Sequence, residues 1–335
     1  MKIRTIIILL LISVLVFGNS YAQKKFEIKF ASVAARNSSP DKAINDLSKE
    51  LEELTNGRLK IKNYGNSRGD EMDIIKKMSP RLTSLHAAGL TGRGLGEILP
   101  SIRVLELPFL FKNYDEVDYV ISKLYPRFSK EFENEGFVLL GWAEVGFVHI
   151  FSKNKISTPQ DLKKAKMWTW QGDPLALEMF KALDVTPIPR SLPDALTQLQ
   201  TPGLDAVYAH PYGALILSWH EPTNFINEMP ITYATGAVVL QKKMFDEMDP
   251  GLQKILLDTS KKHLDALVVK TRKDSKEALV IMQEQGIEIV PAPNGDDLVF
   301  FEKAGMEVRA KLTGDLYPKE LLDEVLSLLK DFRSK

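Results

Sequence analysis

Between Pro250 and Gly286 the chain offers a single break, the glycine directly after the proline, and this stretch constrains the fold more than any other. Asp249 can cap a helix and Pro250 can stand as its first residue, which is where proline is tolerated. A run of up to about 36 residues at ~1.5 Å each makes a rod of about 50 Å. That is longer than one small domain, so the helix is expected to lie across two. Its apolar positions keep no clean heptad, which speaks against a coiled-coil strut. A length of 335 residues suits two domains of ordinary size.

The rest of the chain alternates between strand and helix patterns. Phe26, Ile28 and Phe30 alternate with polar residues, as in a half-buried strand. Ser39-Pro40 opens a helix whose Ala43, Ile44, Leu47, Leu51 and Leu54 share a face, and Gly57 closes it. Leu59 and Ile61 begin a strand, and Asp70 starts a helix expected to turn Met72, Ile75 and Met78 inward. A second block repeats the rhythm. Residues 136–140 form a buried strand leading to Trp142, and Thr158-Pro159 caps a short helix with Asp161 as capping partner. Met167 to Trp170 is extended, and Asp173-Pro174 opens a helix faced by Leu175, Met179, Phe180 and Leu183. Leu204 to Ala209 is a strand, and Pro211 starts a helix running to Trp219. This order predicts an α/β protein with a doubly wound sheet. No repeat and no low-complexity linker separates the halves, so crossing strands are expected to form the hinge.

The first residues differ from the rest. Lys2 and Arg4 precede an apolar run from Ile6 to Leu11 that continues past Ser13 to Phe17. Ser20 and Ala22 stand at the spacing signal peptidase reads, which predicts a signal peptide over residues 1–22, a mature start at Gln23 and export to the periplasm. The run is shorter than the ~18–20 residues of a membrane span, so an uncleaved anchor is the lesser alternative. Cysteine is absent, which excludes disulfides, thiolate metal sites and a cysteine nucleophile. Without Lys2 and Arg4 there are 42 basic against 44 acidic residues, a balance unsuited to nucleic-acid capture. The five histidines, His86, His149, His210, His220 and His263, show no metal-binding spacing, so neither metal nor cofactor is expected. The cluster Gly89, Gly92, Gly94 and Gly96 lacks a dinucleotide fingerprint and is expected to be a surface loop.

Several segments carry a resemblance through their order. They are residues 26–31 (Phe-Glu-Ile-Lys-Phe-Ala), 54–59 (Leu-Thr-Asn-Gly-Arg-Leu), 69–71 (Gly-Asp-Glu) and 105–111 (Leu-Glu-Leu-Pro-Phe-Leu-Phe). Residues 141–144 (Gly-Trp-Ala-Glu), 158–163 (Thr-Pro-Gln-Asp-Leu-Lys), 195–201 (Ala-Leu-Thr-Gln-Leu-Gln-Thr) and 204–205 (Leu-Asp) follow. The set resembles the extracytoplasmic receptors of tripartite ATP-independent periplasmic (TRAP) transporters, the DctP-like family, over nearly the whole mature chain. The resemblance implies a type II periplasmic-binding-protein fold with hinge strands and a lobe-spanning helix. It places lobe I at 23–146 plus 235–272 and lobe II at 147–234 plus 273–335. It also implies a receptor rather than an enzyme, handing a small molecule to TRAP permease subunits in the inner membrane. The pattern is further similar to the branch that works with a tetratricopeptide-repeat periplasmic protein.

The departures bear on the ligand. The family's carboxylate-binding arginine position is occupied by Trp168, a second common arginine is replaced in Gly146-Phe147-Val148, and His210 stands where asparagine is usual. Losing a bidentate guanidinium leaves a buried carboxylate without its partner. Trp168 and Trp170 share a strand face, Tyr208 and Tyr212 bracket His210, and Trp142 and Phe147 flank the crossover. If these rings converge, the cleft suits an apolar or aromatic solute, with Asn37, Glu71, Thr169 and Gln171 as polar contacts. Core packing is the competing reading for Trp142 and Phe147, and turn capping for His210. Arg190 is either a solvated loop charge or a substitute for the missing arginine, which would restore a carboxylate ligand such as a C4-dicarboxylate-like acid. An aromatic cage also suits a cation. Outside the receptor class stand a periplasmic enzyme on the same fold and a scaffold that binds only protein.

Overall fold

The computed structural model describes residues 24–335 apart from 80, 81 and 83, so the leader expected over 1–22 lies outside the described residues. The early strands are β1 (Phe26–Ser32), β2 (Leu59–Asn63), β3 (Ala87–Thr91) and β4 (Phe137–Trp142). Next come β5 (Gly146–Ser152), β6 (Trp168–Trp170), β7 (Ile188–Arg190) and β8 (Ala206–Ala209). The last four are β9 (Phe225–Asn227), β10 (Thr232–Ala234), β11 (Gly236–Gln241) and β12 (Glu288–Val290). One sheet has the order β2-β1-β3-β11-β4, with β1 parallel to β2 and β3 and with β11 antiparallel to both its neighbours. The other has the order β10-β5-β9-β12, with β8 also on β5, and the pair β6-β7 reaches it through the bridge Met167–Ala206.

Each sheet is the floor of one lobe. The chain crosses between them at 143–145, from β4 to β5, and at Thr235, from β10 to β11. The long helix is Pro250–Glu284, and the Asp249 side chain accepts from the Gly251 and Leu252 backbone N–H groups, as a cap should. Its first half buries Leu252, Leu256, Leu264 and Leu267 in the first lobe's core, whereas Ala278 and Met282 enter the second lobe's. Between them the buried face is Thr271, Asp274 and Ser275, small or polar where the helix passes the space between lobes.

Local chemistry explains most elements. Ile28 and Phe30 are buried, as alternation predicts. In the helix Ser39–Leu54 the buried face is Ile44, Leu47, Ser48 and Leu51, and Leu54 projects into solvent because the helix ends there. The helix Glu71–Lys77 buries Glu71 and Ile74 rather than the expected Met72 and Ile75. A 21-residue helix, Tyr114–Asn134, contains Pro126. The proline is tolerated because it sits on the exposed face, opposite the stripe Val117, Val120, Leu124, Phe128 and Phe132, so the freed carbonyl meets water.

The glycine cluster corrects the sequence reading. Gly89 lies in β3, and Gly92, Gly94 and Gly96 lie on the helix Gly92–Ile98. A Cβ on Gly92 would overlap the Glu106 carboxylate, and one on Gly94 would stand 2.9 Å from the Glu71 carboxyl carbon. These positions are bare so that two buried acids can lie against the helix.

Candidate functional site

A cavity of about 260 Å³ lies where the crossing strands, the two lobes and the middle of the long helix meet. The first lobe contributes Phe30, Ser32, Leu90 and Arg93, the crossover Ala143 to Val145, and the long helix Leu267 and Thr271. The second lobe contributes Trp168, Trp170, Tyr208, His210 and Tyr212, with Leu175 and Met179 from the helix capped by Asp173. Most of this wall is apolar.

Trp168 is the centre of the aromatic wall. Its ring lies 4.9 Å from Tyr208, 5.1 Å from Trp219 and 6.2 Å from Trp170, and it is 1% exposed. It is therefore both core and cavity lining. Trp170 donates its indole N–H to Asp70 across the cleft at 3.1 Å, and its ring receives the Arg93 guanidinium at 5.1 Å. The Ser39 backbone N–H donates to the Tyr212 hydroxyl at 3.1 Å, a second bond between lobes.

Seven sequence candidates lie off the cavity wall, among them Thr169, which is buried, and Gln171, which is exposed. Trp142 packs edge-on against Tyr125 and Phe128. Phe147 is held between Tyr114 and Tyr233. Arg190 is exposed and donates to its neighbour's carbonyl, that of Pro189, at 2.7 Å. Asn37 sits in an exposed turn at φ 63°, its backbone N–H on Asp41. Glu71 is fully buried behind the wall, accepting from the Thr91 N–H at 2.6 Å and the Thr91 hydroxyl at 3.0 Å.

Sequence reasoning missed the buried charges. Arg103 is 3% exposed and reaches Glu106 at 2.8 Å in its own lobe and Asp173 at 3.0 Å in the other. Arg93 donates to the Gln171 carbonyl across the cleft at 2.7 Å and lies 3.9 Å from Glu71. Glu144, at the crossover, is held by Arg272 of the long helix at 2.6 Å and by the Tyr233 hydroxyl at 3.2 Å. Burial pushes Glu106 up to about 7 against the pull of Arg103, and burial likewise pushes Glu71 up to about 7 against the Thr91 hydrogen bonds and Arg93. Burial also opposes charge on Arg103, but Asp173 and Glu106 overcome it and raise its pKa. The glycines beside Arg93 were the available signal, since they mark close approach of another group to the backbone.

His210 caps the helix Pro211–Ile216 by accepting the Gly213 N–H on Nδ1 at 3.4 Å, so the neutral ring carries its proton on Nε2. Burial, with a smaller push from His149, lowers it to about 4 from 6.5. Below pH 6.5 the unfolded chain takes up a proton that the folded ring refuses, so stability is lost as pH falls toward 4. His210→Asn keeps a capping oxygen and removes this loss. Chemical denaturation should show the variant ahead by about 3 kcal/mol at pH 4 relative to its difference at pH 8. A difference that does not change with pH contradicts the assignment.

Two α/β lobes joined by crossing strands around a shared cavity define a solute receptor of the hinged kind. The chain belongs to the DctP family, bacterial extracellular solute-binding protein, family 7, whose model matches residues 30–311. These are the periplasmic receptors of TRAP transporters, binding proteins rather than enzymes, which work with membrane permease subunits. The 2,3-diketo-L-gulonate-binding periplasmic protein of Escherichia coli is 23% identical over 94% of this chain and 96% of its own. A TRAP receptor from Xanthobacter autotrophicus with bound β-D-galacturonate superimposes with a TM-score of 0.83 at 20% identity, over 90% of this chain and 99% of its own. One from Desulfovibrio salexigens with bound orotic acid gives 0.82 at 17% identity, over 92% and 99%.

Proposed function

We propose that this receptor takes an apolar or aromatic small molecule between its lobes and delivers it to its permease. The observation that carries the reading is Trp168, a ring in the cavity wall at the position where the family resemblance places an arginine. At ~25 cal/mol per Å², enclosing about 200 Å² of apolar ligand surface contributes about 5 kcal/mol before ordering costs. Trp168, Trp170, Tyr208, His210 and Tyr212 supply much of that surface. The acids bound by related receptors support a carboxylate reading, as do two guanidiniums in the wall. Both guanidiniums, however, already face protein carboxylates, and Arg190 is turned to solvent.

In this proposal the leader over 1–22 is cleaved after Ala22 and the mature protein works in the periplasm. The strand crossings support lobes of 23–146 plus 235–272 and 147–234 plus 273–335. The helix Lys319–Arg333 packs on Tyr114–Asn134, which favours returning it to lobe I. A tetratricopeptide-repeat partner rests on the family resemblance alone. Native mass spectrometry of freshly purified protein tests the ligand class. An apolar adduct recovered by organic extraction is the expected result, and a sugar acid or dicarboxylate overturns it.

A further inference from the structure

The charges around the cavity are arranged in closed sets. Among the described residues, the permanent cations in the wall are Arg93 and Arg103, and no lysine lines it. Arg103 is shared by Glu106 and Asp173, at 2.8 and 3.0 Å. Arg93 gives one nitrogen to the Gln171 carbonyl, faces Glu71 with another, and lies over the Trp170 ring. Its Nε and Nη1 have no hydrogen-bond partner, but both atoms are sealed from solvent and so from the void. Behind Glu144 stands Arg272. Three arginines thus meet four buried acids, and the Arg103 Nε and Nη2 and Arg93 Nη2 groups that an entering anion would need are already taken by protein acceptors.

The acids are no more available to a cation than the arginines are to an anion. Glu106 accepts the Thr235 N–H at 2.7 Å, Asp173 accepts the Leu175 N–H at 3.1 Å, and Glu144 accepts from the Tyr233 hydroxyl. Breaking any such buried set to pair with a ligand leaves a charge uncompensated in a place with little solvent screening.

We infer that the cavity admits uncharged solutes and rejects anions, in contrast to the acid-binding receptors that share its fold. The inference rests on the apolar-receptor reading and adds the charge of the ligand to it. Two dyes with the same ring body test it: neutral N-phenylnaphthylamine and the anionic anilinonaphthalene sulfonate. Binding is read by energy transfer from the cavity tryptophans, which discounts dye on remote surface. The neutral dye is expected to bind at least tenfold more tightly. Glu71→Gln, which strips Arg93 of its carboxylate, should narrow that ratio at least threefold, a shift that a purely structural role for Glu71 would not produce. Glu106→Gln, which leaves Arg103 with one acid, should narrow it in the same direction. Equal or tighter binding of the sulfonate by the wild-type protein overturns the inference and leaves the apolar reading standing. Binding of neither dye overturns both. A ratio that neither variant moves overturns the electrostatic account.

Discussion

Trp168→Ala should cost about 3–5 kcal/mol of folding stability and remove measurable solute binding. The indole is 1% exposed and touches the rings of Tyr208, Trp219 and Trp170, so its loss opens a void that these stiff neighbours cannot fill. The same void merges with the cavity, so the ligand loses its wall along with the core losing its packing. Trp168→Phe separates the two roles. Phenylalanine keeps most of the packing and gives up part of the ligand face, so binding should weaken by about 2 kcal/mol with a smaller loss of stability. Denaturant titration and equilibrium binding on both variants check this. Full binding by a folded Trp168→Ala protein would return the residue to the core alone.

The second large effect belongs to Arg103. Arg103→Met removes the cation from between Glu106 and Asp173 and leaves two buried acids facing each other. The expected loss is about 3–5 kcal/mol, the size seen when one partner of a buried ion pair is deleted. Because Asp173 caps the helix Pro174–Ala182 in one lobe and Arg103 follows the helix Gly92–Ile98 in the other, the break also loosens the closed clamp. Adding Glu106→Gln to Arg103→Met should recover part of the loss, since one surplus acid is then gone. A loss below about 1 kcal/mol for Arg103→Met would mean that water already screens the cluster.

What the sequence disclosed was what local rules govern. The Asp249-Pro250 cap and the run after Gly251 gave the long helix nearly to the residue, and Thr158 with Asp161 forms the expected capping box. Extended geometry at 168–170 put Trp168 and Trp170 on one face, since that follows from strand periodicity alone. The helix Tyr114–Asn134 was hidden by Pro126, whose harmlessness depends on a face that only tertiary packing defines. The buried cluster of Arg93, Arg103, Glu106 and Asp173 was hidden for a deeper reason. Its members are up to 80 residues apart in sequence, and nothing local distinguishes a buried arginine from a solvated one. Phe147 and Trp142 show the converse: both flank the crossover, yet neighbouring rings draw them into the first lobe's packing. Trp219, a full member of the aromatic wall, read only as the end of a helix.

The clamp itself is held by bonds that exist only when the lobes meet: Trp170 to Asp70, Arg93 to Gln171, Ser39 to Tyr212 and Arg103 to Asp173. In the proposed function these bonds form as the lobes close on the solute, so the empty protein is expected to be more open. Small-angle scattering tests this directly, on protein stripped of its solute by unfolding and refolding and then reloaded with the recovered compound. The radius of gyration should fall on reloading, and fall less in Trp168→Ala. An empty protein as compact as the loaded one would contradict a cavity that forms by closure.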